Sequence, residues 1–253
     1  VPDQPPDTSH PPPTGDQPAV SRAARTVALI EVVICSDYPT QLALGGTFTA
    51  FGYGPFAAHG RLSLTYVVGL SLADTLVLVG LVLLFLHAHG ERPRDVFLGG
   101  RPLDQEAAAG LLLIPIALGV AIAVLLVSRR LAPWLHTVAE NPLQDLLRSP
   151  RDAGLFALVL VVAGGIREEV QRAFLLHRFE VWLGGGTFGV IVTSVGFGLG
   201  HLLQGADAAL ATGLLGALWG AVYLRRRSAV APIVSHAGFD LAQVAQFLLA
   251  RRS

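Results

Sequence analysis

The chain has 253 residues, 52% of them hydrophobic and only 14% charged, with a formal net charge of zero and a mean hydropathy of +0.57. Soluble domains carry about a quarter charged residues, so the composition points to a membrane as solvent. The absence of a basic excess argues against a nucleic-acid partner, and a single cysteine, Cys35, rules out an internal disulfide and a thiolate zinc site.

In chain order, residues 1–25 read as a proline-rich tail. The first twenty hold seven prolines and almost nothing large and apolar, too little burial to offset the entropy of ordering, so disorder is expected. They also lack the basic start and apolar middle of a signal peptide, which leaves insertion to the internal helices. Residues 26–150 then read as amino-terminal transmembrane helices with amphipathic connections. The stretch 26–51 is interrupted by Glu31, Asp37 and Pro39 and is expected to be bent or interfacial. Stretches 62–86 and 107–127 are long enough, at about 1.5 Å per residue, to cross a hydrocarbon core of about 30 Å. The polar, turn-rich residues 87–106 and the amphipathic segment 128–152, with Trp134 suited to an interface, lie outside the core.

Residues 151–253 read as a catalytic membrane domain. A long fourth helix begins near residue 154 and carries Arg167, Glu168, Glu169, Gln171 and Arg172 near its middle, ending at the triple glycine 184–186. Stretches 187–203, 208–224 and 229–249 complete an all-α bundle of about seven spanning helices, in the cell membrane, which for a bacterium is the inner one. Gly196 with Gly200, and Gly216 with Gly220, have the spacing that lets helix backbones approach in lipid.

Ionisable groups at the bilayer centre cost about 2.5–3.5 kcal/mol each on insertion scales, so they persist where a cavity or a function requires them. Three runs stand out: 167–172, Phe197 to His201, and His236 to Asp240. Counted along ideal helices from one side, Glu168 lies about 20 Å deep, His201 about 22 Å, and His236 and Asp240 about 10–17 Å. One shared site is therefore sterically open to them. His236 and Asp240 are i and i+4, on one helix face, and Arg172 can reach either glutamate from the i+4 or i+3 position. Adjacent carboxylates with an arginine nearby separate in their titration, as acid–base chemistry near neutral pH requires.

These three runs resemble the family of CAAX prenyl proteases and bacteriocin-processing or bacteriocin-immunity proteins, which carries EExxxR, FxxxH and HxxxN/D motifs in this order on membrane helices. The similarity covers roughly residues 154–249. The second and third motifs match in full; in the first, EEVQR brings the arginine one position early. The resemblance implies an intramembrane endopeptidase that hydrolyses a peptide bond without a metal, on a membrane-anchored or lipidated (CAAX-type) protein in the lipid bilayer. It implies that Glu168, with His201, activates water, that His236 and Asp240 stabilise the oxyanion or Asp240 orients His236, and that Glu169 supports the pair. Arg172 and Phe197 are supporting residues. No cofactor is expected; zinc is disfavoured because HExxH is absent and the candidate ligands are scattered. A zinc-dependent version of the protease and a non-enzymatic immunity or partner-binding protein are the alternatives.

Overall fold

The computed structural model describes residues 21–57 and 60–250, and the first twenty residues of the proline-rich tail lie outside them. The described residues are all-helical apart from one isolated bridge between Phe56 and Leu62. In chain order the helices are α1 (Arg22–Ile34), α2 (Tyr38–Ala50), α3 (Leu64–Ala88), α4 (Pro93–Phe97), α5 (Leu103–Leu131) and α6 (Pro150–Val159). They continue with a π-helical stretch (Leu160–Arg167), α7 (Glu168–Trp182), α8 (Gly186–Gly200), α9 (Ala206–Arg226) and α10 (Val230–Ala250).

Local chemistry sets several of these boundaries. Ser21, Ser63 and Ser149 each accept a hydrogen bond from a backbone N–H three residues on, at 3.1, 3.3 and 3.2 Å. Each satisfies one of the donors that a helix start leaves unpaired. Pro150 follows its cap at the first helical position, where its missing N–H costs nothing. Gly184 and Gly185, with φ of 101° and 97°, make the reversal between α7 and α8, a backbone region that favours glycine.

Length and apolar composition make four of the helices (α3, α5, α9 and α10) able to cross a membrane, or five spans if α1 and α2 count as one. About seven spans is therefore not confirmed. The difference has identifiable causes. α8 has 15 residues and is too short, and the path 150–182 carries Arg167, Glu168, Glu169, Arg172 and Arg178. The first stretch is bent, as expected: α1 and α2 meet at 42°. The break falls at Cys35, Ser36 and Asp37, deep enough that Gln171 of α7 donates to the Cys35 carbonyl at 2.8 Å. Non-helical backbone at such depth persists only where protein buries it or a cavity solvates it.

The expected long fourth helix follows one path, but its register changes in the π stretch, a feature common at functional sites. That stretch lies on α10 and α3. Glycine permits the contact: a Cβ on Gly165 would stand 2.7 Å from the Ala237 Cβ, and one on Gly164 would stand 2.7 Å from Asp240 Oδ2. α5 packs along α10 and α9, and α8 along α9. Between α8 and α9 the close residue is Gly198, whose Cβ would meet the Ala209 carbonyl at 2.8 Å, whereas a Cβ on Gly196 would meet nothing. The Gly196–Gly200 pair thus lies two residues to either side of the real contact. Gly216 and Gly220 do face α8, at Phe197 and Val190. Cys35 is fully buried in an apolar cluster with Leu78, Val82, Phe174 and Phe179.

At one end of the bundle a buried ion cluster ties α1, the α3–α4 connection and α7 together. Arg178, fully buried, donates to Glu31 at 2.5 Å and to Glu91 at 2.6 Å. His89 joins Glu31 at 2.7 Å, and His177 joins Glu91 at 2.8 Å. Burial raises the pKa of Glu91, but the hydrogen bonds from Arg178 and His177 outweigh it and hold the carboxyl below its ordinary range.

Candidate active site

The π stretch delivers Arg167 and then, at the first turn of α7, two glutamates whose surroundings differ. Glu169 is buried against α10: its side chain is 1% exposed, it pairs with Arg172, and Oε1 accepts from His236 Nδ1 at 2.8 Å. Glu168 is 15% exposed and lines a cavity of about 1100 Å³. Its Oε1 accepts from Arg167 Nη2 at 3.1 Å, and its Oε2 stands 3.8 Å from His236 Nε2. The two carboxylates therefore divide the arginines between them, Arg167 with Glu168 and Arg172 with Glu169. The early arginine of EEVQR reaches the second glutamate at i+3.

His236 is the hinge of the arrangement. Nδ1 faces an acceptor-only carboxylate, so it carries a proton, and Nε2 points to the gap shared by Glu168 Oε2 and Asp240 Oδ2, each at 3.8 Å. At that separation neither is a direct hydrogen bond, and the gap suits one small oxygen-bearing group. Asp240 thus faces the Nε2 side of the ring, and Glu169 holds the Nδ1 side. Trp219 stacks on the imidazole with centroids 3.9 Å apart and 19° between planes, and its Nε1 donates to Ser235 at 3.1 Å.

His201 terminates α8 and lines the same cavity. Its Nδ1 donates to the Phe197 carbonyl at 2.8 Å, an acceptor-only partner. Among the described residues it forms no ion pair with either glutamate. Phe197 is the physical link: its ring meets His201 edge-on at 4.8 Å and His236 edge-on at 6.0 Å, and the Arg172 guanidinium lies 4.5 Å from its centroid. Glu168, His201, His236, Asp240, Arg172 and Phe197 all line the cavity, with Glu169 immediately behind.

Among the described residues, no three His, Cys, Asp or Glu side chains are placed to hold one metal ion. Residues that the motifs did not signal also build the site. Arg167 donates to Asp37, at the α1–α2 break, and to Asp74 of α3 at 2.5 Å. Asp74 is a lone acid inside a 25-residue apolar helix, and intramembrane placement alone marks such a residue. Trp219 gives no comparable sign, since a tryptophan in an apolar helix looks like any core residue.

Apolar helices closed around carboxylates and histidines beside a cavity define an all-helical membrane protein with an acid–histidine centre. Residues 150–242 match the family model of the Rce1-like proteins, type II CAAX prenyl endopeptidases. The match spans all three motifs and is consistent with a protein of the CAAX prenyl protease and bacteriocin-processing family, as those motifs implied. No curated protein and no solved structure matches the chain.

Proposed function

We propose that this protein is an intramembrane endopeptidase that hydrolyses a peptide bond of a lipidated, CAAX-type substrate with water activated by Glu168. The observation that carries the proposal is the unequal placement of the two glutamates: Glu169 is locked by Arg172 and His236, while Glu168 opens to the cavity opposite His236 Nε2. A general base needs an open face, and a group that shapes its electrostatics needs a closed one.

In this mechanism Glu168, aided by His201, takes a proton from water as the hydroxyl oxygen attacks the scissile carbonyl carbon. The oxyanion forms in the gap beside His236 Nε2 and Asp240. An imidazolium at His236 donates from Nδ1 to Glu169 and from Nε2 to the oxyanion, and Asp240 donates only in its acid form. The C–N bond then breaks, and the proton held at Glu168 passes to the leaving amine. Glu169 keeps His236 in place, and Arg172 and Phe197 hold Glu169 and the two histidines in register. This chemistry needs no cofactor, and the separation of His201 from His236 by the Phe197 ring supports a metal-independent route. The cavity supports a substrate with an apolar tail, because Val67, Leu125, Val159 and Leu160 line it together with the polar site.

The test is cleavage of a farnesylated CAAX peptide by protein in liposomes, with and without a chelator. Cleavage that survives the chelator and disappears in folded Glu168→Ala and His201→Ala variants is expected. Undiminished cleavage by Glu168→Ala overturns the assignment, and loss on chelation overturns the metal-independent route.

A further inference from the structure

Arg167 stands one residue before the glutamate pair, outside the three motifs, and is 5% exposed. Its guanidinium reaches in three directions. Nη1 donates to Asp37 and, at 2.5 Å, to Asp74; Nη2 donates to Glu168 Oε1 at 3.1 Å; Nε donates to the Ala163 carbonyl of the π stretch at 3.3 Å. Only the last two partners belong to the segment that carries the motifs. Asp37 comes from the break between α1 and α2 and has φ of 79°, an unusual backbone for a residue other than glycine. Asp74 is 1% exposed on α3. A long side chain in a cavity wall would ordinarily sample several rotamers; this one is clamped from two helices.

The consequence falls on Glu168. The fork engages Oε1 and so leaves Oε2 directed at the gap beside His236 Nε2. A lysine offers a point charge at this position and cannot span three carboxylates with a fixed fork. We propose that Arg167, braced by Asp37 and Asp74, is a positioning residue for Glu168, so that the amino-terminal helices complete the site. This rests on the reading of Glu168 as the base. It also gives a role to the break in the first apolar stretch: a continuous helix through residues 35–37 has no means of presenting Asp37 with this backbone.

The experiment compares kcat and KM of the full chain in liposomes on a farnesylated CAAX peptide. Arg167→Gln combined with Asp74→Asn removes the fork without stranding a buried carboxylate on α3. It is expected to lower kcat about 100-fold with KM within about twofold, the scale of effect that misplacing a reacting group by about 1 Å produces. Arg167→Lys keeps a cation for the same aspartates and is expected to lower kcat about tenfold, again at constant KM. If the double variant does not hold its fold, the lysine variant decides. A kcat within twofold of the parent in either folded variant, or a KM that rises in step with the loss, overturns the positioning role. Glu168→Gln separates this from the underlying reading: full cleavage by that variant sinks the base assignment itself. An inactive Glu168→Gln beside parent-like Arg167 variants sinks the positioning inference alone.

Discussion

Replacing Arg172 with alanine tests whether the early arginine of the first motif is a structural partner of Glu169. The Glu169 carboxylate is 1% exposed and Arg172 is 4% exposed, so removing the arginine leaves a buried charge with His236 as its remaining partner. Breaking such a pair from one side costs about 3–5 kcal/mol. Loss of the guanidinium from the face of Phe197, at 4.5 Å, adds about 0.5–2 kcal/mol. For a chain of this size each kcal/mol corresponds to about 2–4 °C in Tm, so the ion-pair loss alone predicts a fall of about 6–20 °C. The assay is thermal unfolding in detergent for Arg172→Ala, Glu169→Gln and the pair Glu169→Gln with Arg172→Gln. Neutralising both partners removes the stranded charge, so the pair is expected to regain most of the loss, with a coupling of about 2–3 kcal/mol. A Tm within about 2 °C of the parent for Arg172→Ala, or strictly additive effects, refutes the reasoning.

Three further outcomes follow from the same geometry. Gly165→Val forces α10 away from the π stretch, because even a Cβ would sit 2.7 Å from that of Ala237; thermal unfolding should show a loss of about 1–3 kcal/mol, with cleavage reduced as His236 moves. Gly198→Ala should destabilise on the same scale, while Gly196→Ala, which meets nothing, should be neutral or stabilising by up to about 1 kcal/mol. Because the Glu91 pKa is depressed in the fold, its contribution is present above the ordinary carboxylate range, near pH 4.5, and is lost as pH falls through the lower folded value. Tm measured from pH 7 down to pH 3 should therefore drop less steeply for Glu91→Gln than for the parent.

Much of this architecture is legible in the sequence because a bilayer leaves few solutions. Long apolar runs announced α3, α5, α9 and α10 to within a few residues, and Glu31, Asp37 and Pro39 announced the bend between α1 and α2. The motifs at Glu168, Glu169, His201, His236 and Asp240 named residues that the fold gathers around one cavity. What could not be read was register. Ideal helix counting has no place for a π stretch, which shifts the register of the helices before and after it. It also could not show that His201 ends its helix and is joined to the rest through Phe197. The helix count fell short because the criterion for spanning is apolar length, and the path through Arg167 to Arg178 is held by ion pairs that hydropathy cannot register. Asp74 was passed over within its apolar stretch, and its partner was beyond reach, since nothing local connects it to a residue 93 positions away.

The matched family segment covers residues 150–242, yet three of its arginines take partners from outside it, while Arg172 pairs inside it with Glu169. Arg167 pairs with Asp37 and Asp74, Arg178 with Glu31 and Glu91, and Arg226 with Glu106 at 2.8 and 2.9 Å. In a low-dielectric interior an arginine without its carboxylate carries a penalty of several kcal/mol, so the two buried arginines, Arg167 and Arg178, depend on α1, α3 and the loops that follow them. Two of the three arginines of α7 and its approach, Arg167 and Arg178, are involved, and Arg167 also contacts Glu168. The motifs therefore mark where the chemistry sits, and the preceding helices supply the counter-charges that let those motifs occupy an apolar bundle. A segment beginning near residue 150 contains every motif residue and lacks Asp37, Asp74, Glu31 and Glu91, the partners that Arg167 and Arg178 take from the preceding helices and loops.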